Sequence, residues 1–181
     1  MKDMEKNKVQ KLTLSAFSLA LCMVLPFLTG QVPAIGNMLC PMHIPVLLCG
    51  YLCGWPYGLA VGFIAPLLRS CVIHLPVLFP TAFAMAFELA TYGFMTGITS
   101  RILPNKHIYI YLSLIVSMLS GRAVWGVVQF ILYGLGFTDF SFEIFMAGAV
   151  TNAIPGIVIQ LVFVPLIVIA IRRIEKRNLL R

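Results

Sequence analysis

The sequence predicts an all-α integral membrane protein, a single six-transmembrane-helix bundle spanning residues 1–181, with both termini cytoplasmic. Three observations carry that reading. Hydrophobic residues make up 60% of the chain and charged residues 10%, with a mean hydropathy of +0.97; a soluble domain is about half apolar and a quarter charged. The 181 residues hold apolar runs from end to end, and at about 20 residues per crossing there is room for roughly six spans and almost no extramembrane domain. Finally, the charges gather at the ends of those runs. The spans are placed at 12–28, 43–54, 56–72, 81–100, 107–135 and 145–171.

The first span follows Lys2, Lys6, Lys8 and Lys11, and Pro26 and Gly30 help to end it. Its apolar run is long enough to cross and no small-residue cleavage site closes a short core, so it is read as a retained helix and not as a signal peptide. Ala16 and Ala20 stand one turn apart, a small-residue pattern that lets another helix approach closely in lipid. Residues 31–42 are rich in Gly, Pro and polar side chains and read as a loop.

The second span is about a dozen residues and covers roughly 18 Å, short of the ~30 Å hydrocarbon core. It must therefore begin inside the protein or be flanked by re-entrant chain, which only protein or a water-filled cavity can satisfy. A break from Gly54 to Gly58 separates it from the third span, which ends near Arg69. Pro76 and Pro80 mark the turn into the fourth span, which contains Glu88; the fifth carries Arg122, Trp125 and Gln129, and the sixth Asn152 and Gln160.

On this plan, all but Arg69 and Arg122 of the thirteen basic residues fall at the N-terminus, between the fourth and fifth spans, or in the C-terminal tail. By the positive-inside rule that side is cytoplasmic, and the chain is read as a multi-pass protein of the cell membrane. Asp139 and Glu143 lie on the other side. The net charge of +7 is thereby explained as topology, with no nucleic-acid partner.

Arg69, Glu88 and Arg122 are left in or at the edge of the membrane. Ionisable residues there are costly, face the bundle interior and mark function. All three fall in the outer half of their spans, Arg69 near the rim. Either Glu88 and Arg122 form a buried pair that locks helices while Arg69 reaches to the interface, or the unmatched positive charge receives an anionic ligand, for which a planar guanidinium suits a carboxylate or phosphate. Asn152, Gln129 and Trp125 share that depth and join Arg69, Glu88 and Arg122 as candidate substrate-binding residues.

Enzymatic chemistry finds little support. Ser120-Gly121 lacks the surrounding glycine pattern and histidine of a nucleophile dyad, and His43, His74 and His107 are scattered near the interfaces. No phosphate-cradling loop or metal-ligand pair is present. Cys22, Cys40, Cys49, Cys53 and Cys71 are odd in number and lie mostly in apolar segments, as expected of packing residues.

Taken together, the Ala16-x-x-x-Ala20 pair, the Pro41-Met42-His43-Ile44-Pro45 stretch, the Leu52-Cys53-Gly54-Trp55-Pro56-Tyr57-Gly58-Leu59 turn, Gly62 and the short second span resemble the substrate-binding S components of energy-coupling factor (ECF) vitamin transporters. The resemblance covers nearly the whole chain. It implies a bundle that captures a vitamin or precursor at its extracellular face, with residues 31–42 as a lid, so that Asn37, Met42 and His43 are lid residues. It also implies a transmembrane coupling protein and two cytosolic ATPases as partners, an ABC-type importer in which ATP is used by the partners and this chain needs no cofactor. Ala16 and Ala20 become the face that docks on the coupling protein.

The metal-transporting relatives carry a Met-His pair at the mature N-terminus; Met42-His43 is internal, which disfavours nickel or cobalt. The Met-His-Ile-Pro stretch looks more like the pantothenate and hydroxymethylpyrimidine members than the thiamine ones, and pantothenate is the first choice, ahead of folate, riboflavin or its phosphate, and a nucleobase-like precursor. The competing function is a stand-alone secondary transporter of a small anionic metabolite, coupled to protons through Glu88. It lacks the inverted repeat of such transporters.

Overall fold

The computed structural model describes residues 2–29, 40–104, 106–137, 141 and 154–179. Among them the regular structure is helical: α1 (Lys2–Val24), α2 (His43–Cys53), α3 (Trp55–Ile73), α4 (Phe83–Ile102), α5 (His107–Gly134) and α6 (Ile154–Leu179), with short turns of tighter or wider helix at Leu25–Thr29 and Leu78–Ala82. Five stretches, all but α2, are long and apolar enough to cross a membrane: Lys8–Phe27, Trp55–Ile73, Leu78–Ile102, His107–Gly134 and Ile154–Ile174. The span expected at 145–171 has its first residues, up to 153, outside the described ones. So do Asn152, Asn37 and most of the expected lid.

The bundle is apolar outside as well as inside, because its surroundings are lipid and not water. Phe17, Leu119, Val127, Phe163 and Leu166 are exposed. What marks the interior is small residues and satisfied hydroxyls. On α1, Ser15, Ser18 and Cys22 are buried at helical spacing. Ser15 and Ser18 donate to the carbonyls of Lys11 and Leu14, so neither polar group is orphaned. Ala16 and Ala20 lie outside this stripe and are exposed. Pro26, which has no N–H to give, coincides with the change from α-helix to a tighter turn at Leu25.

The short α2 resolves the problem set by its length. Its eleven residues rise about 16 Å, and six consecutive ones, Pro45 to Gly50, are buried. A helix buried all round is enclosed by its neighbours. α1, α3, α4 and α6 supply that enclosure. Met42 and His43 at its start are 4% and 3% exposed, so the helix begins inside the protein, where irregular backbone is tolerated.

The break between α2 and α3 is narrower than the expected Gly54 to Gly58. Only Gly54 leaves the helical region, at φ 96, a conformation open to glycine. Pro56 falls in the first turn of α3, where a missing N–H costs nothing, so the helix restarts at once. Gly58 is instead an interior residue at a helix crossing: a Cβ there would lie 2.5 Å from the Gly93 carbonyl oxygen of α4. α4 is the hub, packing on α2, α3 and α5. Its buried stripe of Ala84, Glu88, Leu89, Tyr92, Gly93, Thr96 and Gly97 recurs every three to four residues.

The α3–α4 crossing has a direct test. Gly93→Ala sets a methyl against the Gly58 backbone and is expected to destabilise by about 1–3 kcal/mol, seen as a lower Tm in detergent. Gly134→Ala, where nothing lies within 4 Å, is expected to leave Tm unchanged or slightly raised. Equal responses of the two variants contradict the close crossing.

Candidate functional site

Chain reversal at each turn brings the end of α1, the start of α2, the end of α3, the start of α4 and the later half of α5 to one end of the bundle. Here the sequence's intramembrane charges meet, though not all three together. Glu88, on the buried stripe of α4, is 2% exposed. Taking a carboxylate out of water costs several kcal/mol unless charge and hydrogen bonds compensate. Glu88 Oε1 lies 3.1 Å from Arg122 Nη1 of α5 and 3.5 Å from His43 Nε2 of α2. It also accepts a 3.2 Å hydrogen bond from the Tyr92 hydroxyl.

Tyr92 reaches that oxygen because it sits one turn after Glu88 on the same face of α4. Gly121 of α5 makes the room: a Cβ there would collide with the Tyr92 ring. The Ser120-Gly121 pair thus has a packing role at its glycine. The His43 ring tilts against Tyr92, with centroids 5.1 Å apart. Three helices therefore converge on one carboxylate.

The pairing is incomplete. Nε of Arg122 and Nδ1 of His43 are buried without a hydrogen-bond partner among the described residues, and the 3.5 Å from His43 Nε2 to Glu88 is too long for a good hydrogen bond. Nη2 of Arg122 points at the sulfur of Cys40, 3.7 Å away. Buried polar groups left unmatched call for an explanation, a ligand or water among them.

Arg69 does not join this cluster. It is 3% exposed; its Nη1 donates to the Met23 carbonyl at 2.7 Å and its guanidinium stacks 5.4 Å from the Phe27 ring. Met23 is in the last turn of α1, whose free carbonyls and negative dipole end suit a cation. Arg69 ties α3 to the end of α1. Among the described residues no carboxylate lies within ion-pair distance of it.

Of the expected lid residues, Met42 is buried in the turn before α2, and His43 opens that helix facing Glu88. Trp125 and Gln129 are half-buried on α5, at positions three and seven residues beyond Arg122 and so on its face by spacing. Tyr92 and Cys40 join the site without being among its expected residues, Cys40 being expected only to pack. The four-residue step from Glu88 to Tyr92 was a usable signal; nothing in the sequence links Cys40 to Arg122, 82 positions later.

The cluster sets a guanidinium, a carboxylate, an imidazole and a phenol together between α2, α4 and α5. A protein-family model described as ECF transporter, substrate-specific component, matches residues 10–168. The chain belongs to this family. No curated protein and no solved structure matches it. As an ECF substrate-specific component it is a membrane-embedded transport subunit and not an enzyme. It works with an ECF module of coupling protein and ATPases on a small-molecule substrate.

The Glu88–Arg122 pair in this S component is open to a double-mutant cycle. Glu88→Gln or Arg122→Met alone leaves the other charge buried and is expected to cost about 3–5 kcal/mol, whereas the double variant is expected to recover much of that loss. Thermal unfolding in detergent measures it. Strictly additive losses contradict the pair.

Proposed function

We propose that this S component captures an anionic vitamin or vitamin precursor, with pantothenate the first candidate, at the extracellular end of its bundle. The observation that carries the reading is the buried Glu88–Arg122 pair, with an Arg122 N–H and a His43 nitrogen beside it left without partners. A second buried guanidinium, Arg69, lies at the same end with a carbonyl for company and no acid among the described residues. Arg69 lies apart from the pair, so the anionic group is matched by the donor edge of Arg122 that Glu88 leaves open. Trp125, Gln129 and Asn152 complete the ligand's surroundings, and residues 31–42, with Asn37, form the lid that the family resemblance implies.

The basic residues at the N-terminus, after α4 and at the end of α6 put the opposite end of the bundle, and both termini, in the cytoplasm of a bacterial-type cell. Residues 1–181 act as one six-helix domain, in which α2 is the short sixth member. Ala16 and Ala20 dock on the coupling protein, which two cytosolic ATPases drive. Their exposure supports this, since packing within the chain falls to Ser15, Ser18 and Cys22.

One purification tests both halves. Mass spectrometry of wild-type protein isolated from cells is expected to reveal a retained small acid, and Arg122→Ala to lower its retention at least about thirtyfold, as loss of a buried charge partner does. Ala16→Leu with Ala20→Leu is expected to abolish co-purification of the coupling protein and leave ligand retention intact. A neutral retained molecule, or full retention by Arg122→Ala, contradicts the capture site; undiminished co-purification contradicts the docking face.

A further inference from the structure

Arg122 uses its three nitrogens unequally. Nη1 faces Glu88 at 3.1 Å, Nη2 faces the Cys40 sulfur at 3.7 Å, and the buried Nε has no hydrogen-bond partner. Nε–H and Nη2–H lie on one edge of the guanidinium, the edge that takes a carboxylate side-on through two parallel hydrogen bonds. A thiol sulfur is a weak acceptor. The edge best suited to a carboxylate is therefore held by the poorest acceptor in the cluster, and half of it by nothing. Glu88, the strong acceptor at hand, is engaged on the other side with Nη1 and the Tyr92 hydroxyl.

Cys40 is built into this position. It is 8% exposed, sits three residues before His43 in a left-handed conformation at φ 47, and its carbonyl accepts the His43 N–H at 3.1 Å. The same short stretch thus delivers a thiol to Arg122 and an imidazole to Glu88. Nδ1 of that imidazole is buried and unpartnered, a second polar group at the site awaiting a hydrogen bond.

We propose that Cys40 is a place-holder on the Nε/Nη2 edge of Arg122, and that the carboxylate of the bound ligand displaces it. Glu88 keeps Nη1 throughout, so the ligand adds to the ion pair and does not break it. The proposal rests on the capture reading above and deepens it: the ligand group on Arg122 is a planar carboxylate bound side-on.

The test fills the edge from within the chain. Aspartate at position 40 carries its carboxylate about one bond further than the thiol reaches, onto the open edge. In full-length, ligand-stripped protein in detergent, Cys40→Asp is expected to raise Tm above that of Cys40→Asn, and this gain to vanish when Arg122 is replaced by Met in both. With the seat filled, Cys40→Asp is expected to bind pantothenate at least about tenfold more weakly than wild type, as a displaced charge-assisted pair requires, while Cys40→Ala binds it as well as wild type or better. Pantothenol, in which an alcohol replaces the carboxylate, should not distinguish Cys40→Asp from Cys40→Ala. No gain in Tm over Cys40→Asn, or pantothenate binding unimpaired by Cys40→Asp, overturns the proposal. A Tm gain in a protein whose wild type binds no pantothenate overturns the choice of pantothenate and leaves the place-holder standing on its own measurement.

Discussion

The polar interior of the bundle is organised around one buried carboxylate, that of Glu88. Glu88 is nearly fully buried, and its Oε1 is approached by a guanidinium, an imidazole and a phenol carried on three helices. Each approach has its own requirement in the fold. Arg122 needs α5 beside α4, Tyr92 needs the missing side chain of Gly121, and His43 needs α2 to begin deep inside the protein. An ion pair of this kind is a poor source of net stability, since its desolvation cost rivals its attraction. Its value is in position: it ties α2, α4 and α5 together at one end of the bundle.

The small residues serve the same end. Gly58 and Gly93 let the backbones of α3 and α4 touch, and Gly54 turns the chain between α2 and α3 in a single residue. Close backbone contact is how helices associate in lipid, where burying apolar surface brings little gain. A rigid wall of α2, α3 and α4 results, against which α5 sets Arg122. α1 is bound to this wall by Arg69 at one end and by the thiol–hydroxyl contact of Cys49 with Ser15 further along, leaving its Ala16 and Ala20 face open.

Much of the fold was legible in the sequence because lipid imposes one-dimensional rules. Apolar runs of spanning length, the basic ends and the unusual shortness of the second span all follow from hydropathy and length. The break expected from Gly54 to Gly58 narrows to Gly54 because Pro56, placed in the first turn, starts a helix where its composition suggests an interruption. Site residues were legible as far as burial of charge could take them. That Glu88 and Arg122 matter follows from cost alone, but which residues meet is a tertiary fact. Arg69, expected in the same outer half, goes to the Met23 carbonyl of α1, Cys40 arrives from a stretch expected only as a loop, and His43 from the start of the second span. Membership of the ECF substrate-specific components then supplies the transport role that no single residue encodes.

A structure of the protein in lipid nanodiscs with its retained ligand bound would test the central claim most directly. The ligand's acidic group should lie within hydrogen-bond distance of Arg122, with Glu88 still beside Nη1 and His43 against the ligand or the pair. A ligand seated elsewhere in the bundle, with Arg122 still contacting only Glu88 and Cys40, would show the buried pair to be a structural tie alone.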